Sequence, residues 1–148
     1  MRAEFQADLE VVRNLLVTMA EQVRAALKRS TSALLETDQT DAEEVVHGDV
    51  DVDLGYQAVE ERVYELLARQ APVATDLRLL VTALHTAANL ERMGDLAVHV
   101  AQVCLRRLPA PATPPELVPV IKDMADVCDI MAGKVADSLR TADAELAR

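Results

Sequence analysis

Small and apolar side chains recur at alternating steps of four and three residues through the first quarter of the chain, and this spacing limits the possible folds more than any other sequence feature. In an α-helix, residues at these steps share one face. The spacing therefore predicts a first helix over about residues 4–36 that packs in a bundle. The positions concerned are Phe5, Leu9, Val12, Leu16, Met19, Val23, Ala26, Ser30 and Ala33.

The composition favours helices packed on helices. Hydrophobic residues make up 51% of the 148 residues and aromatic residues only 2%, so the core must consist of Leu, Val, Ala and Met. There are four glycines, and no alternating run of β-branched residues is bounded by hairpin turns. The predicted fold class is all-α, without a sheet.

Two further helices follow the first. Thr40, with Glu43 three residues later, predicts a capping box that starts the second helix. Pro72 ends this helix, and Thr75 and Asp76 supply a capping side chain and a negative charge for the first turn of the third. The predicted second and third helices end at about Gln70 and Arg107.

A proline-rich segment at 109–115 separates these helices from a fourth. Its four prolines exclude a helix there, so we interpret it as a linker between a three-helix unit at 1–108 and a single helix at 116–148. The fourth helix repeats the pattern of the first, and we expect its apolar face to be buried against its own bundle or against another chain. At an offset of 105, Val12 matches Leu117, Leu16 matches Ile121, Met19 matches Met124, and Asp38 matches Asp143.

Charge and hydropathy exclude several classes of partner and location. A formal net charge of −10 repels nucleic acid, and no basic cluster is interleaved with aromatic residues. The apolar runs are short, and acidic residues stand where a signal peptide would have its hydrophobic stretch. Cys104 and Cys128 have no CxxC partner and are interpreted as reduced thiols. We therefore expect a cytoplasmic protein that is at most peripheral to a membrane.

Two pairs of carboxylates are the strongest candidates for a functional site. Asp49 and Asp53 are four residues apart on the second helix, and Glu91 and Asp95 are four apart on the third. The short turn at Pro72 makes these helices antiparallel neighbours, with axes roughly 8–10 Å apart. Asp49 is then level with Asp95, and Asp53 with Glu91. The sequence predicts an acidic patch of these four carboxylates.

Such a patch needs a cation or takes up protons, because two like charges about 4 Å apart repel by roughly 4 kcal/mol at an effective dielectric of 20. Oxygen ligands suit Mg, Mn, Ca or oxygen-bridged iron, and His99 as a further ligand would favour Fe, Mn or Zn. The alternative is a solvated acidic face paired with Arg92 or Arg62.

No catalytic residues are recognisable. The Glu-x-x-His pairs of di-iron bundles are absent, as are a phosphate-binding glycine loop and a nucleophile elbow. We therefore expect no enzymatic activity. Two alternatives to a metal-binding adaptor stay open: a histidine phosphotransfer or kinase dimerisation bundle using His85 or His47, and a structural bundle that oligomerises through its fourth helix.

Several motifs in order resemble the PhoU family of phosphate-uptake regulators over essentially the whole chain. They are the amino-terminal MRxxF, the break near Asp38, ELLARQAPVATDLRLLVTAL at 65–84 and LERMGDLAVHV at 90–100. The resemblance implies two similar three-helix bundles, of which the second is truncated here. It also places metal-binding motifs at Asp49 to Asp53 and at Glu91 to Asp95.

The same resemblance implies a function. It predicts a non-enzymatic regulator that links a phosphate ABC transporter ATPase to a sensor histidine kinase and represses the phosphate-starvation response. A homo-oligomer, as a dimer, is expected separately from the apolar face of the fourth helix. The implied cofactor is a divalent or trivalent metal ion: Fe, Mn, Zn or Mg. Tyr56 stands where the family commonly has an acidic residue, and His99 where it commonly has Asn, so the sequence leaves the metal open.

Overall fold

The computed structural model describes residues 2–141, and over this range the chain is helical without strands. The all-α prediction is thereby confirmed. A single 3₁₀ turn, Pro115–Leu117, precedes the last helix. The four helices are α1 (Arg2–Glu36), α2 (Gln39–Gln70), α3 (Ala74–Arg107) and α4 (Val118–Thr141).

The first three helices surround an apolar core made of two clusters of buried side chains, and each helix packs against the other two. The stripe predicted on α1 faces this core, with seven of its nine positions buried and Leu9 and Ala26 half-buried. Large aliphatic side chains from all three helices are completely buried, and Phe5 is the aromatic residue among the buried core residues of the described chain. The completely buried side chains include Met19, Val23, Val59, Val63, Leu66 and Leu80.

The predicted start of α2 is wrong by two residues. Asp38, and not Thr40, caps the helix: the Asp41 backbone N–H donates to Asp38 Oδ1 at 3.0 Å. Asp is at least as good a cap as Thr, and Asp38 directly follows Thr37, whose φ of 60° ends α1. The helix thus begins two residues earlier than the capping box of Thr40 and Glu43 predicts.

The predicted cap of α3 is also wrong. The cap residue is Val73, which makes no side-chain hydrogen bond, and Thr75 lies inside the helix. Ala71 and Ala74 have positive φ angles of 44° and 50°, so the chain reverses within three residues and leaves no position for a Thr75 cap. Asp76 does lie in the first turn, as expected.

A glycine of α2 lies in contact with α1. A Cβ atom at Gly55 would lie 2.7 Å from Cγ of the fully buried Met19, a distance that real Cβ contacts do not reach. By contrast, a Cβ at Gly48 on the same helix would meet nothing within 4 Å. The absence of a side chain at Gly55 is therefore a packing requirement.

Helix α4 packs against α1 and contacts neither α2 nor α3 within the described residues. Arg24 donates to Asp129 at 2.7 and 3.0 Å, and Arg140 pairs with Glu21, so the two helices are antiparallel. The predicted continuation of this helix to residue 148, including Asp143, lies outside the described residues. Between residues 2 and 141, no helix combines the length and apolarity needed to cross a membrane.

Candidate functional site

A glycine on α3 lets a carboxylate on α2 reach the neighbouring helix. Gly94 is buried, and a Cβ there would lie 3.3 Å from Val52 Cγ1 and 3.4 Å from Asp49 Oδ1. The Asp49 side chain therefore lies against α3 at Gly94, the residue before Asp95. This is the height that the antiparallel register predicts.

The surroundings of Asp49 disfavour its negative charge. Burial raises the pKa of this carboxyl, and repulsion from Asp53 and Asp95 raises it further. His99 acts in the opposite direction, because a positive imidazolium nearby favours the carboxylate. Residues from both pairs thus act on Asp49.

The surroundings of Glu91, on α3, also disfavour its negative charge. Burial again has the largest effect and raises the pKa of Glu91, followed by repulsion from Asp95, Asp53 and Asp49. The positive charge of the exposed Arg92 lowers the pKa of Glu91, but by less than these effects raise it. The structure therefore brings all four sequence-predicted carboxylates within electrostatic range of one another.

No protein cation neutralises the acidic patch. In the described part of the chain, no ion pair or side-chain hydrogen bond involves any of its four carboxylates. Arg62 pairs with Asp8 and Glu65 instead. The ion-paired face considered from the sequence is not what these residues form.

The carboxylate oxygens of the acidic patch are the type of donor atom that an oxygen-ligated cation requires. Asp49, Glu91 and Asp95 are half-buried, whereas Asp53 and His99 are exposed. Across residues 2–141, no three His, Cys, Asp or Glu side chains are already close enough to hold a metal ion. Ligation would therefore require rotation of side chains that water can reach, and the surplus negative charge would favour it.

Neighbouring positions have other partners. Tyr56 continues the line of Asp49 and Asp53, but its hydroxyl donates to Glu60 at 2.9 Å. His47 and His85 are exposed and lie outside the acidic patch, with His47 Nδ1 2.7 Å from the Glu43 carbonyl oxygen. The phosphotransfer alternative stays a prediction for these two residues.

The packing role of Gly94 was not predicted from the sequence. A glycine in the middle of a helix costs about 1 kcal/mol relative to alanine, so its presence indicates a packing requirement. In the ERMGD motif that signal was available, one residue before Asp95. The structure supplies the reason, since a side chain there would crowd Asp49 and Val52.

The raised pKa values of Asp49 and Glu91 predict how stability depends on pH. The folded state binds protons that the unfolded chain releases, so this contribution is fully present below the ordinary values of 3.8 and 4.5 and is lost as pH rises through the raised values. We expect urea unfolding in chelator to show this decline for the wild type and a flatter profile for Asp49→Asn/Glu91→Gln. Parallel profiles would contradict the expectation.

Comparison with known proteins matches this chain to one family. A family model described as PhoU domain matches residues 16–104. Phosphate-specific transport system accessory protein PhoU homolog 2 of Mycobacterium tuberculosis (strain H37Rv) is 34% identical over 147 residues, covering 99% of this chain and 69% of that protein. The matched regions of several relatives run through the segments that carry the acidic patch.

Shorter matches agree. PhoU homolog 1 of Mycobacterium leprae is 38% identical over 117 residues, 79% of this chain and 53% of that protein. Phosphate-specific transport system accessory protein PhoU of Escherichia coli (strain K12) is 33% identical over 104 residues, 70% of this chain and 43% of that protein. The matched part of the chain thus covers between 43% and 69% of the length of these relatives.

Proposed function

The chain belongs to the PhoU family, and from this premise we propose that it is a metal-binding accessory regulator of phosphate uptake. The metal-binding part of the proposal is supported by the acidic patch, whose carboxylates, three of them half-buried, repel one another and form no ion pair in the described chain. A polar cluster of this kind is retained in a fold at a cost in stability, which indicates a function.

We propose that Asp49, Asp53, Glu91 and Asp95 hold the ion, with His99 as a further ligand. The ion would be Fe, Mn, Zn or Mg, since these accept the oxygen and imidazole donors present. When bound, it would neutralise the patch and tie α2 to α3. The protein side chains offer ligation and no recognisable acid, base or nucleophile for a reaction, so the role proposed is not enzymatic.

The proposed partners follow from the names of the relatives, which are accessory proteins of a phosphate-specific transport system. We propose that the chain contacts the ATPase of a phosphate ABC transporter and a sensor histidine kinase in the cytoplasm, and represses the phosphate-starvation response. Within this proposal residues 1–108 form one PhoU-like unit, and residues after the linker form the first helix of a second unit. The repeat of the α1 pattern in α4 supports that division.

A reporter assay tests the proposed function. In a bacterium that lacks its own PhoU protein, producing this chain is expected to lower a phosphate-starvation reporter in phosphate-rich medium. Asp49→Asn/Glu91→Gln is expected to lose this repression, because neutral ligands remove the negative charge that attracts the metal ion.

The matched control is Asp51→Asn, which changes an exposed carboxylate on another face of α2. It is expected to repress like the wild type. Unchanged reporter output from a well-produced wild-type chain would overturn the regulatory proposal. Equal repression by the double variant would overturn the dependence on metal.

A further inference from the structure

The apolar core is interrupted between its two clusters of buried side chains. On α1 the interruption falls between Val23 and Ala33, and on α2 between Val45 and Val52. Gly48 follows Val45 by three residues and precedes Val52 by four, so it lies on the same buried face of α2. Yet Gly48 is exposed, and a Cβ there would meet nothing within 4 Å. A position that faces the core is therefore open to solvent.

An open groove between α1 and α2 lies at this interruption. It has a volume of about 570 Å³, and small-molecule sites typically have roughly 300–1,000 Å³. Its apolar lining comes from Ala25, Ala26, Val45, Val52 and Val98. Because Val98 belongs to α3, the groove passes between the first two helices into the bundle.

The two ends of the groove differ in charge. At one end, Arg29 of α1 pairs with Asp41 and Glu44 of α2. Since α1 and α2 are antiparallel, Gln22 and Asp49 lie towards the other end, roughly 10 Å away along α1. Within the described residues, neither of these two side chains forms an ion pair or a hydrogen bond. This end therefore offers an amide group and a carboxylate to a ligand.

We propose that the groove binds a small aliphatic amine. Its ammonium group donates hydrogen bonds to Gln22 and Asp49, and its hydrocarbon chain covers the apolar lining towards Arg29. A chain of about six carbons matches the roughly 10 Å between the two ends. The carboxylate of Asp49 repels an anionic ligand of the same length.

The amine and the proposed metal ion share one side chain. Asp49 lines the groove and also lies against α3 at Gly94, within the acidic patch. Bound amine therefore competes with the ion for this carboxylate, and each lowers the affinity of the other by the same factor. This coupling rests on the proposed function, whereas binding of the amine alone does not.

Titration in the presence of a chelator tests the amine site by itself. Hexylamine should bind with a Kd on the order of 1 mM by calorimetry, and should shift backbone amide signals on both sides of the groove in NMR spectra. Hexanoate, of the same length and opposite charge, should bind at least about tenfold more weakly. Hexanol, which has the chain without the charge, should fall between them.

Substitutions separate the apolar lining from the charged end. Gly48→Leu should abolish hexylamine binding, because its side chain enters the open space at this position. The matched control, Gln57→Leu, adds the same side chain at an exposed position of α2 outside the groove and should bind like the wild type. Asp49→Asn should weaken hexylamine about tenfold and leave hexanol unchanged. Circular dichroism should show unchanged helix content in all three variants.

Competition without chelator tests the coupling. Mn²⁺ should weaken hexylamine binding severalfold, and hexylamine should weaken Mn²⁺ binding by the same factor. Gly48→Leu should bind Mn²⁺ without responding to hexylamine. Independent affinities would overturn the coupling. A wild type that binds hexylamine but no Mn²⁺ would contradict the metal-binding part of the proposed function and leave the amine site in place.

Three outcomes would overturn the amine site. They are no binding of hexylamine, equal binding of hexanoate, and unchanged binding by Gly48→Leu. A lysine-containing peptide that binds where hexylamine does not would show that the groove holds a side chain of a partner protein instead.

Discussion

Protein purified without chelator is expected to carry bound metal, and Asp53→Ala or Asp95→Ala should each lower the metal content about tenfold or more. Each substitution removes one proposed ligand and one carboxylate from the acidic patch, Asp53 on α2 and Asp95 on α3. Elemental analysis by mass spectrometry after extensive dialysis measures the content per chain.

Asp51→Ala is the matched control for the metal measurement. It removes the same functional group from α2 only two residues from Asp53, but from an exposed position on another face. Its metal content should equal that of the wild type. Equal and negligible metal in the wild type and the patch variants would rule out the metal site.

His99→Ala tests whether His99 contributes to metal binding. If the ion is Fe, Mn or Zn with imidazole ligation, this variant should bind it more weakly, whereas an ion held by oxygen atoms alone should be unaffected. His99 also acts electrostatically on Asp49. A comparison of different metal ions therefore separates a ligand from a neighbouring charge, since only ligation depends on the identity of the ion.

The second large effect concerns the contact between α1 and α2. Gly55→Ala is expected to lower the free energy of unfolding by about 1–2 kcal/mol, because overpacking against Met19 outweighs the gain in helix propensity. Gly48→Ala on the same helix is expected to raise it by about 1 kcal/mol, since its Cβ meets nothing within 4 Å. Urea unfolding measures both.

A double variant tests the cause. Met19→Ala alone should cost about 2–5 kcal/mol through the cavity it leaves. Combined with Gly55→Ala, the loss should be smaller than the two single losses together by about 1 kcal/mol or more, because the added methyl group fills part of that cavity. Strict additivity would show that Gly55 and Met19 do not limit each other.

Helix ends set by proline were predictable from the sequence, and ends set by backbone reversal were not. Gln70 and Arg107 end their helices where expected because prolines follow within a few residues. The starts of α2 and α3 depend on positive φ angles at Thr37, Ala71 and Ala74, which these residue types rarely adopt. The residue types at these positions give no indication of positive φ angles.

The sequence predicted which residues of the candidate site lie at the same height on α2 and α3, but not the distances between their side chains. A short turn between antiparallel helices sets which residues are level, so the facing of Asp49 and Asp95 followed from their positions. Side-chain distances depend on how closely the helix axes approach, and Gly94 determines this locally. The sequence likewise predicted an apolar stripe on α4 but could not assign which side meets α1.

Both close contacts of α2 occur at the height of the acidic patch. Gly55, two residues after Asp53, meets α1, and Gly94, one residue before Asp95, meets α2 from α3. At this level α2 is therefore packed tightly against both neighbouring helices. Because the tight packing leaves little free space, we expect helix motions to change the spacing of the carboxylates less here than near the helix ends.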